Sequence, residues 1–209
     1  MKKLLVLAMI MAIPLFLAGN AHATLLGIHL GVPDIFSDST GTYSYNYATQ
    51  EMLFTAHALT ITFDNVNIIP ITGGTYSANF KVDNAGNFVS GVSGDDLTIS
   101  GNFTYNSTPY SGTLLRGEIT DFGWQPGTYA LFDYYVDVKG GALASYFGST
   151  AGDIASAENH NFTGNWQVSH SGTKVKHDTA GLVPEPASIA LLGMGILGLF
   201  GIGRKKIKA

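Results

Sequence analysis

Five histidines are spread along the middle of the chain, His29, His57, His160, His170 and His177, and imidazole is the usual starting point for a metal centre or a proton shuttle. None stands four residues from another in the His-x-x-x-His spacing that puts two ligands on one helix face. The nearest approach to a zinc set is Glu158-Asn159-His160 with His170 and His177 further on, and the default expectation is that these are solvated surface side chains. Four aspartates offer a second chemistry. Asp95-Asp96 on a glycine-flanked turn, with Asp133 and Asp137 on a later strand, are oxygen donors of the kind a calcium ion takes from loops. The chain has no twelve-residue Asp-x-Asp-x-Asp-Gly loop, so calcium is a weak candidate and no other cofactor is implied. Paired carboxylates would also suit glycoside hydrolysis, but that chemistry needs them about 5 to 9 Å apart, which spacing along the chain does not specify. No Gly-x-Ser-x-Gly elbow or phosphate-binding loop is present.

Aromatic rings are the third group. Tyr43, Tyr45, Tyr47, Trp124 and Trp166 would form a stacking platform for pyranose rings if they were exposed on one face. With no cysteine in 209 residues, thiolate catalysis, Cys-ligated metals and disulfides are excluded together.

The elements that must position these groups are legible as strands. Apolar and polar residues alternate in Tyr43-Ser44-Tyr45-Asn46-Tyr47, Leu59-Thr60-Ile61-Thr62-Phe63, Tyr76 to Val82 and Leu97-Thr98-Ile99-Ser100, the period-two pattern of half-buried strands. Turn residues punctuate them at Asp64-Asn65, Gly73-Gly74, Asp83 to Asn87, Gly94-Asp95-Asp96 and Lys139-Gly140-Gly141. From Thr128 to Val138, Ala130, Phe132, Tyr134 and Val136 alternate against Asp133 and Asp137, which predicts a long strand lying over the core. A short helical turn is predicted near Thr150 to Glu158. The expected fold is all-β, an antiparallel β-sandwich of jelly-roll type.

The two ends differ from this body. Lys2-Lys3, an apolar run from Leu4 to Ala18 and Ala21-His22-Ala23 before Thr24 have the order of a secretory signal, with Ala21 and Ala23 as the small residues a signal peptidase accepts. At the other end Pro184-Glu185-Pro186 precedes seventeen uncharged residues, 187–203, and then Arg204-Lys205-Lys206-Ile207-Lys208. As a helix that run spans roughly 26 Å, enough to cross a thin bilayer, and the cations after it stay cytoplasmic, so Pro-Glu-Pro faces outward. The flanking prolines hold the junction extended. The expected organisation is a signal peptide over 1–23, a secreted domain over 24–183 and a sorting signal over 184–209, comprising a transmembrane helix at 187–203 and a basic tail at 204–208. The middle segment carries five basic residues against fourteen acidic ones, a formal net charge of −9. That balance argues against a nucleic-acid or anionic-membrane surface as partner.

Val183-Pro184-Glu185-Pro186, the glycine-rich apolar run and Arg204-Lys205-Lys206 resemble the PEP-CTERM sorting domain of Gram-negative, matrix-producing bacteria. The resemblance implies export by the Sec machinery and removal of 1–23 by signal peptidase. It further implies a transient stay in the inner membrane, recognition by an exosortase and passage to the cell surface or extracellular matrix. Tyr47 to Ala56, Gly112 to Gly117, Thr120 to Gly123 and Phe162 to Trp166 are similar to a recurrent passenger type of such proteins, for which no activity is implied. Of three classes, structural or adhesive envelope component, exopolysaccharide-binding module and secreted glycoside hydrolase, the first is expected, because the residues assemble no catalytic set.

Overall fold

A computed structural model describes residues 25–183. Twelve strands form one antiparallel sheet: β1 (Leu30–Ser37), β2 (Gly41–Asn46), β3 (Glu51–Ala56), β4 (Ala58–Thr62), β5 (Ile68–Pro70), β6 (Thr72–Val82), β7 (Phe88–Gly91), β8 (Leu97–Tyr105), β9 (Thr108–Gln125), β10 (Ala130–Gly140), β11 (Thr150–His160) and β12 (His170–Leu182). A four-residue helix, α1 (Ala144–Phe147), joins β10 to β11.

Neighbours in the chain are neighbours in space. β1 and β2 lie end to end along one edge of β12, opposite Leu182 to Asp178 and Val175 to His170 respectively. β3 pairs with β2 and β4 with β1; β6 pairs with β3 and β5 with β4. Each of these couples is one long strand interrupted by a kink. From β6 the sheet proceeds through β8, β9, β10 and β11 to β12, whose other edge carries β1 and β2. The result is an eight-strand barrel, with β7 added beside β6.

The antiparallel all-β expectation is met, but the sandwich is not: one sheet closes on itself instead of two sheets facing each other. Right-handed twist accumulates from strand to strand, and closure removes the exposed edges a sandwich would keep. Period two explains which side is which. Tyr43, Tyr45, Met52, Phe54, Leu97, Ile99, Phe132 and Tyr134 point into the barrel and are buried, while Thr42, Ser44 and Asn102 face out. Each large apolar side chain taken inside contributes roughly 1.5–3 kcal/mol, which holds a barrel lacking disulfides.

Two further expectations change. Thr150 to Glu158 is strand β11, and the helical turn lies before it at Ala144–Phe147. Gly73-Gly74 is a kink at the start of β6 instead of a hairpin: a Cβ on Gly74 would overlap the Ala58 carbonyl, so glycine lets β4 approach. Among the described residues no helix is long and apolar enough to cross a membrane. The expected signal helix and the transmembrane helix at 187–203 lie outside the described residues.

Both barrel ends are filled with rings. Phe63 stacks on Tyr105 at 4.2 Å and Phe103 on Tyr110 at 4.8 Å at the end where β12 finishes. At the other end Trp124, Phe162, Trp166 and His170 pack together with centroids 4.4 to 5.5 Å apart.

Candidate functional site

The strand that precedes Pro184-Glu185-Pro186 in the chain is β12, and its last residue, Leu182, is opposite Leu30 at the start of β1. One residue on, the backbone N–H of Val183 donates to the His29 carbonyl at 3.0 Å. The incoming and outgoing chain therefore pass side by side at one end of the barrel. Just before β1 the chain is clamped from outside: Leu26 and Gly27 donate their N–H groups to Asp133 Oδ1 and Oδ2, at 3.0 and 3.2 Å. Burial raises the pKa of Asp133, and these amide donors oppose that shift by stabilising the carboxylate. Ala21, Ala23, Pro184, Glu185, Pro186, Arg204, Lys205 and Lys206 lie outside the described residues.

Asp133 is thus a clamp for the entering chain, and the other calcium candidates are engaged separately. Asp96 is buried and accepts the amides of Val92 and Ile119 at 2.7 and 2.9 Å, fixing the β7–β8 turn against β9. Asp95 holds Arg116 at 3.0 Å and Asp137 holds Lys139 at 2.6 Å, both at the surface. Among the described residues no three His, Asp or Glu side chains converge as a metal set. The four aspartates do not share a site.

The rings do not form a platform. Tyr43, Tyr45, Trp124 and Trp166 are 2 or 3% exposed, inside the barrel or plugging its end, and only Tyr47 is open to solvent. Sugar stacking needs a free ring face, which the inward parity of Tyr43 and Tyr45 on β2 removes. Gly86, on the turn between β6 and β7, lies against both indoles, and its carbonyl accepts Trp124 Nε1–H at 3.0 Å.

Nor are the histidines uniformly solvated. His170 is 4% exposed and stacks on Tyr45 at 4.9 Å. Neither of its ring nitrogens has a hydrogen-bond partner. Burial, with His160 nearby, pushes its pKa down to about 4, so it is neutral at pH 7. His177 has no exposed surface, and its Nδ1 lies 3.0 Å from Asp153 Oδ1, also fully buried.

The Asp153–His177 pair anchors a polar network that no motif in the sequence marks. Asp153 Oδ2 accepts the Tyr76 hydroxyl at 3.1 Å and the Thr179 hydroxyl at 2.5 Å, and the Tyr76 and Tyr134 hydroxyls bond to each other. The Tyr76 ring stacks on His177 at 4.1 Å. Burial and the Asp153 charge raise both tyrosines well above the usual phenol range. A carboxylate oriented on an imidazole is the arrangement of a general base, but here it joins β6, β10, β11 and β12 from within. Parity was the available signal: Asp153 shares a strand face with Ala151 and Ala155, and His177 with Val175 and Thr179.

A second polar pair sits on β1 and β12. Asp34 is pushed up to about 8 by burial and by the Asp178 carboxyl beside it, with Asp153 adding to the effect.

No curated protein and no solved structure matches the chain. The family model for the PEP-CTERM protein-sorting motif matches residues 182–205, starting on the last residue of β12. The chain carries a PEP-CTERM protein-sorting motif, the mark of an exported protein sorted by an exosortase, and Leu182 and Val183 belong both to that motif and to the end of the barrel.

Proposed function

We propose that the barrel is a non-enzymatic passenger with a structural or adhesive role in the envelope or exopolysaccharide matrix of a Gram-negative bacterium. In this reading the Sec machinery exports the chain and signal peptidase cuts after Ala23. Residues 187–203 then hold the intermediate in the inner membrane, with Arg204, Lys205 and Lys206 on the cytoplasmic side. The exosortase acts at Pro184-Glu185-Pro186, and the barrel passes to the surface or matrix. The observation that carries the reading is the motif match beginning at Leu182, directly on the folded barrel. A structural role is supported by where the chemically capable groups lie: Asp153 and His177 have no exposed surface, and four of the five candidate rings are core.

Glu185→Ala tests the sorting step. The carboxylate is the one charge between Val183 and Arg204, so its loss should leave full-length protein in the inner membrane fraction, detected by mass spectrometry of its C-terminal peptide. Recovery of an intact C-terminus ending at Ala209 from wild-type surface protein would overturn exosortase processing.

A further inference from the structure

The barrel end at which β12 finishes and β1 begins carries the most exposed large apolar side chains among the described residues. Val66 is 79% and Ile68 70% exposed, on the hairpin between β4 and β5. Thr62 is opposite both Asp34 and Ile68, so residues 63–67 overhang the first residues of β1, level with the Leu30–Leu182 pair. Val32 and Val183 are exposed beside this level, and Tyr146 of α1 joins them through its edge contact with Phe63 at 5.0 Å. The hairpin is built to present these side chains. Asp64 accepts the amides of Val66 and Asn67 at 3.0 and 2.8 Å and the Asn67 side chain at 2.6 Å, fixing the turn.

Single exposed apolar residues are common on proteins; their position relative to the tether distinguishes these. Only residues 184–186 separate Val183 from the uncharged run at 187. Fully extended, that link reaches at most about 14 Å, so a chain held in the membrane by 187–203 keeps this end of the barrel at the bilayer surface. Aliphatic tips flanked by a tyrosine suit the headgroup region, where amphipathic rings collect.

We propose that this end of the barrel rests on the bilayer, with Val66 and Ile68 seated among zwitterionic lipid headgroups while the sorting segment holds the chain in the membrane. The inference depends on the membrane-held intermediate proposed above. Asp64 stays ionised at the tip, its backbone donors lowering its pKa to about 2, and it disfavours anionic lipid. Contact of this kind sets the barrel upright over the sorting junction and limits the side from which an exosortase reaches Pro184-Glu185-Pro186.

The chain has no cysteine, so Val66→Cys and Val168→Cys can each carry a single environment-sensitive fluorophore. Val168 is 50% exposed and lies just before β12, at the opposite end. Full-length protein is reconstituted in phosphatidylcholine vesicles containing lipid spin-labelled near the headgroup. The expected result is at least twofold stronger quenching and a blue-shifted emission at position 66 relative to 168, with Ile68→Asp cancelling the difference while the protein still floats with the vesicles. Flotation with equal, unquenched emission at both positions overturns the seated barrel and leaves the membrane-held intermediate standing. Failure of the full-length protein to float overturns both.

Discussion

His177 Nδ1 lies 3.0 Å from Asp153 Oδ1 across the β11–β12 pairing, with neither side chain exposed. The same carboxylate accepts the Tyr76 and Thr179 hydroxyls, so one buried acid on β11 ties in β6 and β12. Removing it as Asp153→Ala should destabilise the barrel by about 3–5 kcal/mol, because the imidazole and two hydroxyls lose their acceptor in a dry interior. Adding His177→Leu should cost less than the sum of the two single changes. Urea unfolding of the single and double variants measures both.

Asp34 supplies a pH dependence of opposite sense to that of an ordinary carboxylate. Its pKa is about 8 in the fold against 3.8 for an ordinary aspartate, so between these values the folded state binds the proton more tightly. Its contribution to stability is full below about pH 4, declines as pH rises and is lost above about pH 8. Asp34→Asn should flatten this part of the profile and give a higher urea midpoint than wild type at pH 8.5. A wild-type midpoint that rises from pH 6 to pH 8.5 in step with the variant's would refute the assignment.

His170 acts on the acid side. Unfolded, it takes up a proton near pH 6.5; folded, only near 4. The unfolded state therefore binds more protons between these values, and stability falls as pH drops through 6.5 toward 4. Since neither ring nitrogen has a partner and the neighbours are Tyr45, Phe162 and Trp166, His170→Phe should unfold at higher urea than wild type at pH 5. The gain should shrink at pH 7.5.

Gly86 has φ of +88° and its Cα faces both indole nitrogens, so an added methyl group would collide with Trp124 and Trp166. Gly86→Ala combines backbone strain with displacement of the plug, and should destabilise by about 2 kcal/mol. Loosening of the two tryptophans should appear as a red shift in native-state fluorescence. Unchanged emission and stability would mean the turn adjusts without moving the rings.

What the sequence determined by itself is local. Alternation in Tyr43 to Asn46 and Ala130 to Val136 marks strands because side chains on adjacent residues leave opposite faces. Turn chemistry placed the breaks at Asp83 to Asn87 and Gly94 to Asp96. The sorting motif is also read directly, since its order of Pro-Glu-Pro, apolar run and cations is contiguous. The tertiary structure decided everything that depends on which strand meets which. Period two assigns Tyr43 and Tyr45 to one face without saying that the face turns inward, and closure put those rings in the core. Asp153 and His177 are 24 residues apart, and only the register that sets Asp153 opposite Thr179 and Ala155 opposite His177 brings carboxylate and imidazole together. On the other edge of β12, the β1–β12 register sets Leu182 opposite Leu30 and brings the end of the last strand beside the start of the first. Strand pairing is a property of the closed sheet, and no local pattern in the residues specifies it.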